Sequence, residues 1–246
     1  MHQSISPSKR VRALEALIRK HGLGETLRRP QQVRHPPVPS GIEDLDARLG
    51  GGLPRGAISE ITGAGSSGRT GLLLGVLARG TQGHEIAAYV DATDCLDPRS
   101  AREAGVSLER LLWIRCGEAM RASRWRRGQR GGDEAWRAAS LVVSAGSFGV
   151  VAVDLGGLSK RRLGRWQRHP WMRLRHALEG SPTALVVLAE RPVTGSSAGL
   201  VLELRRERTD WDGLLAGFDM HAEVVRNRVR GMAGEAAKQG SAGAGS

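Results

Sequence analysis

The stretch Gly63-Ala-Gly-Ser-Ser-Gly-Arg-Thr70 has the residue types and spacing of a phosphate-binding loop. Glycines let backbone amides curl around an anion, a helix start adds its positive dipole end, and a Ser or Thr hydroxyl can bind Mg²⁺. Gly63, Ser66, Ser67, Gly68, Arg69 and Thr70 are therefore nucleotide-binding candidates, with Thr70 in the magnesium role. One position departs from the GxxxxGK[ST] form: Arg69 stands where a lysine is expected. It keeps the charge, but its planar fork is bulkier than an ammonium. Roughly 80 residues further on, Val150-Val-Ala-Val-Asp154 is an apolar run ending in a carboxylate, so Asp154 is the second magnesium candidate, holding the ion through water. The competing reading is a Gly-rich turn that binds nothing.

Two basic segments suit a polyanion. Ser159 to His176 holds seven Lys or Arg with two tryptophans, Trp166 and Trp171. Lys160, Arg161, Arg162, Arg165 and Arg168 are its candidates for contact with DNA or a partner, since Arg and Trp together serve phosphate contact and base stacking. Arg121 to Gly132 is a basic, Gly-containing loop in which Arg124, Trp125, Arg126 and Arg127 are candidates for the same role. The competing readings are a solvated basic face and tryptophans buried against the core.

Composition sets the frame for both. The chain has 246 residues, 37 Lys and Arg against 25 acidic residues, and a net charge of +12, with nearly all the cations Arg. Such a field attracts nucleic acid, although an Arg-rich proteome produces the same excess on solvated faces. No apolar run approaches the roughly 20 residues of a membrane span, and the N-terminus does not resemble a signal peptide, so a cytoplasmic, nucleoid-associated protein is expected. Cys95 and Cys116 form no ligand cluster, and the histidines lack metal spacing. No structural metal is expected, and both thiols should be reduced and partly buried.

The elements that must position these residues alternate. Strands are predicted at Ala57–Thr62, Ile86–Asp91, Leu111–Arg115, Val150–Asp154 and Ala184–Ala189, with helices after the phosphate loop, at Asp133–Ala145 and across Leu158–Leu178. A short helix after Ser40, its expected cap, should turn Ile42, Leu45 and Leu49 inward. Apolar runs alternating with helices predict an α/β fold, a mostly parallel sheet flanked by helices. Leu200–Arg206 and Ala222–Arg228 alternate as antiparallel strands do. Residues 1–39 should form an N-terminal helix (9–21) and a Pro-rich linker, 40–230 the core domain, and 231–246 a disordered tail.

The sequence resembles the RecA family over roughly residues 9 to 230. The resemblance is carried by Ser40-Gly-Ile-Glu-Asp-Leu-Asp-Ala-Arg-Leu-Gly-Gly-Gly-Leu-Pro-Arg-Gly56, by Ala57 to Thr70, and by Tyr89-Val-Asp-Ala-Thr-Asp-Cys-Leu-Asp-Pro98. Ala101 to Leu112 and Val224 to Val229 extend it. It implies a RecA-like P-loop core with ATP and Mg²⁺ as cofactors and a capacity for self-association. It also implies that the glutamate polarising the attacking water falls at Thr93, and the glutamine sensing the γ-phosphate near Glu190. Arg226 and Arg228 resemble positions reaching a neighbouring subunit's nucleotide, with a solvated edge strand as the competing reading. The DNA-binding loop after the core strand shrinks to Arg191–Ala198, and the family's C-terminal domain has no counterpart.

Threonine cannot serve as the base, so Arg69, Thr93 and Glu190 together describe an altered hydrolysis site. A short RecA-like chain of this kind resembles ImuA-type proteins of bacterial mutagenesis cassettes. That resemblance implies a non-hydrolysing or weakly active accessory protein of the SOS DNA damage response. It would support error-prone translesion synthesis beside DNA polymerase subunits and single-stranded DNA. Two alternatives stay open: an active DNA-dependent ATPase, and an interaction module or cell-division regulator that ignores nucleotide.

Overall fold

Four strands are buried along almost their whole length: β1 (Ala57–Gly63), β2 (Ala87–Asp91), β4 (Val150–Asp154) and β5 (Ala184–Ala189). Runs apolar on both faces need cover on both sides, and the computed structural model supplies it. It describes residues 35–83, 85–116, 133–167, 169–212 and 214–229, with backbone alone at Asp133 and 208–219. The N-terminal helix predicted at 9–21, the 121–132 loop and the tail from 231 lie outside the described residues.

The sheet has seven strands in the order β3-β2-β4-β5-β1-β6-β7, with β3 at Leu111–Arg115, β6 at Leu200–Asp212 and β7 at Leu214–Asn227. Every neighbouring pair is parallel except the antiparallel β6–β7 hairpin. One face carries α1 (Glu43–Leu49), α2 (Arg69–Thr81) and α3 (Pro98–Glu103), packed through Leu45, Leu49, Leu73, Leu77 and Ala101. The other carries α4 (Asp133–Ala145), α5 (Lys160–Trp166) and α6 (Trp171–Leu178), packed through Ala139, Val143, Leu163, Leu174 and Leu178. The predicted α/β class therefore holds.

Local chemistry moved four details. Ser40 is not the helix cap: Ile42 holds that position, while the Ser40 Oγ accepts from the Ile42 amide at 3.1 Å. Ile42 is exposed rather than inward, and only Leu45 and Leu49 pack. The basic stretch 158–178 is two helices, because Pro170 cannot continue the first. Cys116 is buried, and burial pushes its thiol up to about 11, whereas Cys95 is exposed.

Trp166 and Trp171 are buried, which decides between base stacking and packing in favour of packing. They form an aromatic cluster with Trp136 and with His169, which stacks on Trp136 at 4.5 Å. Trp166→Ala should therefore cost about 3–5 kcal/mol, read as a lower urea midpoint in equilibrium unfolding. A loss below about 1 kcal/mol would show that the cluster is not a packing anchor.

Candidate nucleotide site

Parallel pairing sets the site. β2, β4, β5 and β1 are consecutive neighbours, and their register aligns Asp91 with Asp154, Asp154 with Leu188, and Thr62 with Ala189. The phosphate loop, Thr93, Asp154 and Glu190 therefore all leave the sheet at its carboxyl edge, where open α/β sheets bind ligands.

The loop joins β1 to α2. Gly63 has φ +149, and a Cβ there would lie 2.4 Å from the Leu204 carbonyl and 2.7 Å from Ser67 Oγ, so only glycine fits. Gly68, at φ +90, caps α2 in the left-handed region, and Ser66 also has a positive φ of 58. Thr70 and Ser66 are exposed, while Ser67 and Arg69 are buried. Ser67 Oγ and Arg69 Nη1 have no hydrogen-bond partner among the described residues. Buried donors without partners are rare, and beside a loop of this shape they are what an anion would satisfy. Burial pushes the Arg69 pKa down, while Glu190 and then Asp154 favour its charge. A cleft of about 460 Å³ runs from Gly68 along α2 past Gly71 and Gly75 to Ile42 and Met220, and of the candidate nucleotide residues only Gly68 lines it.

Asp154 is 4% exposed and both its oxygens are engaged. The Tyr89 hydroxyl donates to Oδ2 at 2.5 Å, and the Gly156 amide donates to Oδ1 at 2.7 Å. Burial raises the Asp154 pKa against these two bonds, with Asp91 raising it further. Burial and then Asp154 raise the Tyr89 phenol, so it remains a donor. Thr70 is exposed at the start of α2, and each Asp154 oxygen accepts one hydrogen bond and keeps a second lone pair.

The position of the expected base is also settled locally. The Thr93 hydroxyl donates to the Gly156 carbonyl at 3.0 Å. Asp91 cannot substitute, because its carboxylate accepts from the amides of Thr93, Cys95 and Leu96 and from Trp113 Nε1. Asp94 pairs with Arg115 at 3.5 Å. Glu190 is exposed.

Three features escaped sequence reasoning: Tyr89, Glu60, and the contacts of Arg226 and Arg228. Glu60 is buried in β1 and accepts from the Val193 amide at 2.6 Å, the Thr194 amide at 3.1 Å and the Thr194 hydroxyl at 2.6 Å. Arg226 donates to the Gly195 carbonyl at 2.6 Å and Arg228 to that of Ser196 at 3.1 Å. The short loop after β5 is thus pinned from both sides. A carboxylate inside an apolar strand was the available signal for Glu60. The sole tyrosine of the chain, beside Val90-Asp91, was the signal for Tyr89.

Desolvation raises the Glu60 pKa above its ordinary 4.5, more than its hydrogen bonds lower it. The folded chain then binds more protons than the unfolded one above pH 4.5, so stability falls as pH rises through that window. Glu60→Gln should flatten this decline, measured by urea unfolding at acidic and neutral pH. An unchanged slope would remove Glu60 as its source.

The basic residues divide. Lys160, Arg161, Arg162 and Arg165 are all exposed on α5, beside Leu163 and Trp166, which face the core. Arg173 on α6 continues the exposed basic surface. Arg124, Trp125, Arg126, Arg127 and Arg168 lie outside the described residues.

Residues 10–123 match the family described as the RecA N-terminal domain. Over that stretch the chain is similar to RecA. It is 37% identical to Protein RecA of Leifsonia xyli subsp. xyli over 147 residues, covering 58% of this chain and 38% of that protein. It is 36% identical to Protein RecA of Acidothermus cellulolyticus over 152 residues, covering 59% of this chain and 40% of that protein. The chain thus spans well under half the length of these curated relatives. A crystal structure of the RadB recombinase aligns with a TM-score of 0.56 and 17% identity, covering 78% of this chain and 91% of the other, a likeness of fold. Among the described residues, no His, Cys, Asp and Glu group could hold a metal ion, and no helix is long and apolar enough to cross a membrane.

Proposed function

We propose that this RecA-like chain is a non-hydrolysing accessory protein of the bacterial SOS DNA damage response. In this reading it supports error-prone translesion synthesis through contacts with DNA and with polymerase subunits, as an ImuA-type protein. The observation that carries it is the state of the base position. Thr93 gives its hydroxyl proton to the Gly156 carbonyl, and both nearby carboxylates, Asp91 and Asp94, are committed elsewhere. A hydroxyl so placed cannot take a proton from water at neutral pH.

Each part of the site then has a binding task. The loop amides and the start of α2 receive phosphate oxygens, and Arg69 supplies a charge-assisted donor. The nucleotide acts as a ligand that stabilises the folded chain, not as fuel. The exposed face of α5 supplies the DNA contact through Lys160, Arg161, Arg162 and Arg165. A cytoplasmic, nucleoid-associated location and self-association belong to the same proposal.

ATP turnover measured with and without single-stranded DNA tests this. Phosphate release should stay at the buffer background. Repeated turnover at a rate on the order of 1 s⁻¹ or above would sink the reading and favour an active ATPase.

A further inference from the structure

We propose that Glu190 makes the phosphate loop select a nucleoside diphosphate over a triphosphate, by setting a carboxylate against the terminal phosphate of the longer chain. This rests on the nucleotide reading above and deepens it.

Register puts Glu190 beside the loop. Ala189, the last residue of β5, pairs with Thr62 of β1, so Glu190 leaves the sheet level with Gly63, the first glycine of the loop. At the other end of the loop Arg69 is 8% exposed, and of the charged groups acting on its guanidinium Glu190 comes ahead of Asp154. Glu190 is exposed and forms no ion pair among the described residues, and the same is true of Arg191 beside it. The Glu190 charge is therefore not cancelled by a contact.

The balance of charge at this edge points the same way. The loop suits phosphate oxygens, since Ser67 Oγ and Arg69 Nη1 are buried there with no partner among the described residues. Yet the one guanidinium of the loop stands with three carboxylates, Asp91, Asp154 and Glu190. Arg226 and Arg228 on the far side of the 190–199 loop are turned to the carbonyls of Gly195 and Ser196. Each further phosphate adds negative charge that the loop amides and a single cation must offset. Magnesium accompanies either nucleotide, so the longer chain remains the more negative of the two. Like charges near a protein surface repel enough to change affinity by about tenfold, and salt screens the effect.

The test is displacement of a fluorescent N-methylanthraniloyl ADP from the full chain by unlabelled ADP and by non-hydrolysable β,γ-imido ATP, in magnesium buffer at low salt. ADP should compete about tenfold more tightly, and the preference should shrink as salt rises. Glu190→Gln should bring the two nucleotides within about threefold, by tightening the triphosphate and leaving ADP nearly unchanged. Glu190 is exposed, so this exchange leaves the packing intact. Equal or tighter binding of the triphosphate by the unaltered chain would overturn the inference and leave nucleotide binding standing. A preference that persists in the Glu190→Gln variant would take the selection away from Glu190 and overturn it as well. Failure of the fluorescent ADP to bind at all would overturn the nucleotide reading and this inference with it.

Discussion

Exchanging Lys160, Arg161, Arg162 and Arg165 together for alanine is expected to weaken single-stranded DNA binding by roughly 100-fold at low salt. All four are exposed on the outer side of α5, and none makes an ion pair among the described residues. Each phosphate contact on a single strand contributes about −0.7 to the slope of log affinity against log salt, so losing four flattens it by about three. The core-facing residues Leu163 and Trp166 are untouched, so stability should change by less than about 0.5 kcal/mol for each exposed site. Fluorescence anisotropy across a salt series reads both quantities. An unchanged slope would take DNA contact away from this face and leave it to a protein partner.

Arg69→Met should separate binding from stability. A buried donor left without a partner costs about 1–3 kcal/mol, and Arg69 Nη1 is such a donor. Met has similar length and no desolvation penalty, although it forfeits the attraction to Glu190 and Asp154. The unliganded melting temperature should therefore hold or rise. Nucleotide affinity should fall by about 10- to 100-fold, the worth of a charge-assisted hydrogen bond of 1.5–3 kcal/mol. A marked drop in melting temperature with affinity intact would mean that Arg69 is a structural cation and not a phosphate ligand.

The strand plan was largely legible because the buried parallel strands are short apolar runs with charged or glycine ends. β3, β4 and β5 and the helix α4 fall on the predicted residues. The phosphate loop was legible because glycine spacing encodes backbone conformation directly, as Gly63 and Gly68 show. What the sequence withheld lies in contacts between strands distant along the chain. Tyr89 and Asp154 are 65 residues apart, and their hydrogen bond exists only because β2 and β4 pair in one register. Glu60 meets the 193–194 loop across 133 residues or more for the same reason. The role of the tryptophans in 159–176 was undecidable from composition, since a basic helix with aromatics reads alike whether its rings face DNA or the core. Burial of Trp166 and Trp171 answered it.

The loop after β5 is held in shape before anything binds it. Its amides and carbonyls from Pro192 to Gly199 are held by Gln167, Glu60, Ile58, Arg226 and Arg228, side chains and backbone drawn from three different elements (α5, β1 and β7) and their flanks. A surface already frozen into shape loses little conformational entropy when something settles on it. A loop that must order on contact would pay for every residue it fixes. Association with this edge of the molecule should therefore show a small heat-capacity change and a rate limited by encounter rather than by folding.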